Sequence, residues 1–268
     1  MDLFHRDLGG AGLPPLVILH GILGSSRNWQ TAGRDLASRY HVLALDLRNH
    51  GASPHAEDAG YAAMEGDVAA WLDALGLGRV ALLGHSMGGK VAMLLACRRP
   101  ERVERLIAVD IAPREYFRGG SQRDEFAAMG ELDLASLHSR AEAERRLEAR
   151  VPDWAMRKFL ATNLERDPGG RWRWSVNLEA LTRALPGLEK NPLREEDRFA
   201  GPALFILGGE SSYVRQDDRP AILRHFPAAR METLPGSGHN PHMDAREAFV
   251  RLVLRDWPPT ETPLPGPP

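Results

Sequence analysis

Gly84-His85-Ser86-Met87-Gly88 reads G-x-S-x-G, and its surroundings restrict the chain more than any other segment. Val80-Ala81-Leu82-Leu83 precedes it as a short apolar run of the kind that forms a buried strand. Residues 88–98 follow with a helical pattern. A serine on so sharp a strand-to-helix turn is lifted out of the sheet and held at the mouth of the helix. Side chains at 84 or 88 would collide with neighbouring backbone in such a turn, and glycine avoids that. The pentapeptide alone arises by chance in many chains. Its place between strand and helix, and the partners available elsewhere, make Ser86 a candidate nucleophile rather than a small turn residue.

The rest of the chain repeats the strand–helix alternation, which predicts a mostly parallel sheet with helices on both faces. Strands are expected at 16–20, 42–46, 80–83, 106–110, 203–207 and 230–233, with an edge strand near 2–6. Helices are expected around 29–39, 63–75, 88–98, 218–225 and 245–257. Met64, Val68, Trp71, Leu72 and Leu75 recur at helical spacing and read as core. Between 113 and 200 the alternation stops. That stretch reads as several helices, with Arg171-Trp172-Arg173-Trp174 extended or in a turn, and is taken as a helical cap inserted into a core of 1–112 and 201–257. Its basic and acidic side chains balance and name no substrate charge. The Pro-rich tail, 258–268, cannot form helix or strand and is expected to be disordered.

A serine hydroxyl needs a base, a group that orients the base, and donors for an oxyanion. His239 is the best base among the ten histidines. It ends Pro235-Gly236-Ser237-Gly238-His239, a glycine-rich loop after the last expected strand, which opens on the sheet edge where Ser86 emerges. His242 is close by without that setting, and a metal site at His239 and His242 lacks further ligands at useful spacing. The oxyanion donors are read as the main-chain N–H groups of Met87 and of Ile22, in His20-Gly21-Ile22-Leu23-Gly24-Ser25, with Leu23 the alternative to Ile22. His20 is expected to prop that loop. Asp110, at the end of the strand before the cap, is favoured as the acid. Glu210, in Gly208-Gly209-Glu210-Ser211-Ser212-Tyr213-Val214, is second, and Glu179 a distant third. Serines occupy the place after the cap where an acid is often found. Asp46-Leu47-Arg48-Asn49-His50-Gly51-Ala52-Ser53 is read as a self-satisfied turn network. Lys90 sits in the first helical turn after Ser86, where a cation is mildly unfavourable; it either snorkels to solvent or shapes the pocket rim.

Bulk properties narrow the function classes. Hydrophobic residues make up 43% of 268, enough for a sizeable core, and the net charge of −2 points to neither nucleic acid nor an anionic membrane surface. The single cysteine, Cys97, has no internal disulfide partner and reads as a small buried thiol. No basic start followed by an apolar run suggests a signal peptide, and no apolar stretch approaches the ~20 residues of a membrane span. A cytoplasmic location is the expectation.

The chain resembles the α/β-hydrolase superfamily over nearly its whole length, and within it the YbfF-type bacterial esterases and their mitochondrial relatives. The matching segments are His20–Ser25, Asp46–Gly51, Gly84-His85-Ser86-Met87-Gly88-Gly89-Lys90, Val109-Asp110-Ile111-Ala112-Pro113 and Gly208–Val214. The resemblance implies an α/β-hydrolase fold and a serine esterase whose acid precedes the cap, carried here onto Ser86, His239 and Asp110. It implies small-molecule esters as substrates, with acyl thioesters as an option, and no metal or organic cofactor. One departure stands out: Asn240 follows His239 where the family usually has tryptophan, which leaves the pocket wall different. Carbon–carbon bond hydrolysis, a lyase step, perhydrolysis on the same scaffold, and a non-catalytic ligand-binding protein are the rival readings.

Overall fold

A computed structural model describes residues 1–116 and 121–255; the Pro-rich tail read at 258–268 lies outside the described residues. The first half alternates as expected: β1 (His5–Asp7), β2 (Pro15–Leu19), α1 (Gln30–Leu36), β3 (His41–Leu45), α2 (Tyr61–Ala74), β4 (Val80–His85), α3 (Met87–Arg98) and β5 (Val103–Val109). Then come α4 (Ser121–Glu131), α5 (Arg140–Arg146), α6 (Trp154–Ala161), the short strands β6 (Leu164–Arg166) and β7 (Trp172–Trp174), and α7 (Leu178–Leu188). The alternation resumes with β8 (Ala203–Gly208), α8 (Arg219–His225), β9 (Ala229–Leu234), α9 (Pro241–Asp244) and α10 (Arg246–Leu254).

Seven strands form one sheet in the order β1-β3-β2-β4-β5-β8-β9. Only β1 runs antiparallel to its neighbour; the other pairs are parallel. The strands alternate apolar side chains to both faces, because successive residues point to opposite sides. In β2, Val17 and Leu19 pack with Met64, Val68, Val91 and Phe226 from α2, α3 and the end of α8. Leu16 and Ile18 pack on the other face with Leu36, Phe249 and Val253 from α1 and α10. Each fully buried aliphatic side chain contributes roughly 1.5–3 kcal/mol relative to exposure, so these two layers fix the register on which the site depends.

Two details differ from the sequence reading. Leu75 is 45% exposed rather than core: α2 ends at Ala74, and Gly76 at φ +65° turns the chain away before Leu75 completes the apolar stripe. Cys97 is half-buried, and burial pushes its thiol up to about 12. The segment between β5 and β8 adds no strand to the large sheet among the described residues; β6 and β7 pair only with each other, antiparallel. Leu23 of the core loop joins Phe126, Met129, Leu160 and Leu181 in a cluster of their own. No helix among the described residues is long and apolar enough to cross a membrane.

Candidate active site

Parallel register brings the strand ends to one edge. Leu19 pairs with Gly84, His85 with Val109, and Gly208 with Leu234. The loops leaving β2, β4, β5, β8 and β9 therefore open together, as ligand sites in such sheets do. The turn after β4 is the tightest. A Cβ on Gly84 would lie 2.2 Å from the Gly88 carbonyl oxygen, and one on Gly88 would lie 2.5 Å from the carbonyl oxygens of Leu19 and His20. Only glycine permits that approach.

Ser86 occupies the N-cap of α3 but does not behave as a cap. An ordinary N-cap serine is extended and accepts from the first turn; Ser86 has φ +52° and ψ −117° and makes no side-chain cap bond. Ser86 instead lines a cavity of about 380 Å³ together with His239. The left-handed backbone costs on the order of 1–3 kcal/mol and is held by the Ser86 N–H donating to Val109 O (3.1 Å) and the Lys90 N–H donating to Ser86 O (3.1 Å). Because that second bond is the first of the helix, the N–H of Met87 remains free of intrahelical partners, at the positive end of α3.

Asp110 is fully buried at φ +48°. One carboxylate oxygen accepts from the Gly208 N–H at 3.0 Å; the other accepts from His239 Nδ1 at 2.8 Å and from the Ser211 hydroxyl. With Nδ1–H donated to Asp110, the lone pair of the neutral His239 ring lies on Nε2. The ring is stacked on Tyr213, centroids 3.3 Å apart and planes within 12°. Its backbone carbonyl accepts from His85 Nε2 at 2.8 Å, which ties the histidine loop to the residue beside Ser86. Glu210, the second candidate acid, is exposed. Glu179 is exposed on α7 and pairs with Arg183. The structure thus brings Ser86, His239 and Asp110 to one place and leaves both glutamates outside it.

The loop after β2 is held by two buried neutral imidazoles. His20 donates from Nδ1 to Gly21 O (2.7 Å) and accepts at Nε2 from the Leu47 N–H (3.0 Å). His50 bonds Arg48 O through Nδ1 (2.9 Å) and accepts at Nε2 from the Leu23 N–H (3.2 Å). Burial drives both below the usual histidine range, His50 to about 3, while Asp46 pulls His20 partway back. Each can make its two bonds only as a neutral ring in that one tautomer. The Leu23 N–H is therefore consumed by His50, whereas the Ile22 N–H makes no hydrogen bond among the described residues. Asp46 accepts from the Ser26 N–H (2.6 Å) and the Ala52 N–H (2.8 Å) and so supports the loop, but the 46–53 turn does not satisfy all its own polar groups: Asn49 Nδ2 is buried with no hydrogen-bond partner among the described residues. His242 stacks on Trp29 with centroids 4.0 Å apart, and burial lowers it to about 3. No group of three or more His, Cys, Asp or Glu among the described residues is arranged to hold a metal.

The sequence reading missed Ser211 and Tyr213, and of its two alternatives for Lys90 the structure bears out the pocket rim, where Lys90 borders a small compartment beside Ser86. The serines standing where an acid is often found were the one visible signal for Ser211. Lys90 neither snorkels nor faces water: it is 2% exposed. Its ammonium donates to the carbonyls of Lys190 (2.6 Å), Glu189 (3.3 Å) and Leu188 (3.4 Å), beside the rings of Tyr61 and Tyr116. It thus caps the C-terminal end of α7, where carbonyls lack intrahelical partners. Burial, with Arg114 adding to it against the pull of Glu115 and Glu189, lowers Lys90 from 10.5 to about 7. A base whose folded pKa is depressed binds fewer protons than in the unfolded chain between those values, so stability rises with pH across that window. Both tyrosines are shifted upward and remain neutral there. The wild type should gain roughly 5 °C or more of Tm between pH 7 and 10 relative to Lys90→Met, read by thermal melts in parallel buffers; parallel pH profiles would show that burial does not depress Lys90.

Residues 14–197 match the family described as alpha/beta hydrolase fold. The sn-1-specific diacylglycerol lipase ABHD11 of Mus musculus is 41% identical over 91% of this chain and 81% of its own. Esterase YbfF of Escherichia coli is 34% identical over 90% of this chain and 92% of its own. Among solved structures, a marine microorganism esterase superposes with a TM-score of 0.91 at 34% identity, covering 95% of this chain and 98% of that one. By sequence, sheet order and strand-end geometry together, the chain belongs to the α/β-hydrolase family, close to the YbfF-type esterases.

Proposed function

We propose that the chain hydrolyses carboxylic esters through a covalent acyl-enzyme on Ser86. The observation that carries this reading is the cavity lined both by Ser86, on a left-handed strand-to-helix turn, and by a histidine whose Nδ1 is held at 2.8 Å by the fully buried Asp110. His239 Nε2 takes the Ser86 proton as Oγ bonds to the acyl carbon. The N–H groups of Ile22 and Met87 receive the oxyanion. The bond from the acyl carbon to the leaving oxygen then breaks, and that oxygen takes the proton from His239. Water, deprotonated by the same imidazole, releases the acid and restores Ser86.

The described residues between 113 and 200 serve as a cap that walls the cavity, since Met156 and Phe159 of α6 line it. The relatives named esterase and lipase support esters as the substrate class; the mouse relative's name adds diacylglycerols to the candidates, and the family resemblance adds acyl thioesters. A panel of nitrophenyl esters, coenzyme A thioesters, diketones and hydrogen peroxide with a carboxylic acid tests the reaction class. Ester cleavage at least about a hundredfold above the diketone and peroxide reactions is the expected outcome. Preferential carbon–carbon cleavage or peracid formation would refute the esterase reading, and failure on every substrate would favour a ligand-binding protein.

A further inference from the structure

Ser86 stands where two compartments of unequal size meet. The larger, of about 380 Å³, includes His239, Asn240 and Met243 in its lining. The smaller, of about 40 Å³, is bounded by Tyr61, Lys90, Ile111, Tyr116 and Leu188 and does not include His239. Ile22, Ser86, Gln122 and Tyr213 border both. In the measure by which one water needs roughly 10–15 Å³, the smaller space holds about three water-sized groups.

Chemistry decides which part of an ester goes where. The leaving oxygen must receive its proton from His239, so the alcohol side of the scissile bond lies in the compartment that His239 borders. The acyl side then points past Ile22 and Met87 into the smaller one. We propose that this smaller compartment is the acyl site and restricts the enzyme to acyl groups of about two to four carbons, while the alcohol portion is free to be much larger. The inference rests on the serine-esterase reading given above.

On the side of Tyr61, Lys90 and Tyr116 the wall is tied by hydrogen bonds. Lys90 holds the carbonyls of 188–190, and the Tyr61 hydroxyl donates to Leu188 O at 2.8 Å. The Tyr116 N–H donates to Glu189 O at 2.8 Å, and the Tyr116 hydroxyl accepts from the Ala112 N–H at 2.8 Å. Sheet edge, α3 and the end of α7 are thus stitched together around the space. The side chain of Gln122 makes no hydrogen bond among the described residues; Gln122 is half-buried on the first turn of α4 and borders both compartments.

The test is a ladder of p-nitrophenyl esters from acetate to dodecanoate, beside naphthyl acetate and methyl dodecanoate. Wild-type kcat/KM should fall at least a hundredfold between butyrate and decanoate, and naphthyl acetate should be preferred to methyl dodecanoate. In Gln122→Ala, and separately in Leu188→Ala, the octanoate-to-acetate ratio of kcat/KM should rise at least tenfold. Esters cleaved with a flat or rising ladder, a preference for methyl dodecanoate, or an unmoved ratio in both variants would overturn the size assignment and leave the esterase reading standing. No cleavage on any rung, with no fluorophosphonate labelling of Ser86, would instead overturn the reaction reading and this inference with it.

Discussion

Ser86→Ala should lower kcat for a nitrophenyl ester by on the order of 10⁵–10⁶, because without the nucleophile only the oxyanion donors and the binding cavity remain. Melting should change little. Ser86 Oγ caps no helix, and alanine inherits the same φ of +52° that serine already tolerates. Ser86→Gly separates the catalytic loss from the strain: it should be equally inactive yet more stable by about 1 kcal/mol, since glycine occupies left-handed backbone without the Cβ penalty. Steady-state kinetics and thermal melts on the three proteins check both parts. Activity of Ser86→Ala within a hundredfold of wild type would refute the nucleophile assignment.

The second large effect is Asp110→Asn, expected to cost on the order of 10³–10⁴ in kcat. The asparagine carbonyl would turn toward the Gly208 N–H, which needs an acceptor, leaving the amide donor facing His239 Nδ1. The imidazole then switches tautomer and presents Nε2–H to Ser86, a proton where a lone pair is required. Glu210→Gln should change kcat by less than about twofold: its side chain is exposed, and surface substitutions rarely exceed half a kcal/mol. Kinetics showing the large loss in Glu210→Gln and a small one in Asp110→Asn would reverse the assignment.

Much of the sheet was legible because parallel strands buried on both faces leave near-continuous apolar runs such as Leu16-Val17-Ile18-Leu19. Ser86 and Asp110 follow the ends of β4 and β5 directly, so locating those strands located these residues too. Elements whose shape depends on distant packing were harder to read. α9 is four residues begun by Pro241, too short for any periodicity. β6 carries Glu165 and Arg166 and exists through its pairing with β7. Lys90 was ambiguous for the same reason: local electrostatics place it unfavourably at a helix N-terminus, but the carbonyls that hold it lie about a hundred residues later. The Ser211 hydroxyl on Asp110 is likewise a contact across 101 positions that no local pattern encodes.

A fluorophosphonate probe followed by peptide mapping bears most directly on the central claim, that the hydroxyl of Ser86 is activated by the His239 and Asp110 pair. One probe per chain on the peptide containing Ser86, lost in Ser86→Ala and strongly slowed in Asp110→Asn, is the result expected. An unmodified Ser86 in a protein that nevertheless turns over esters, or labelling that survives in Ser86→Ala, would contradict it.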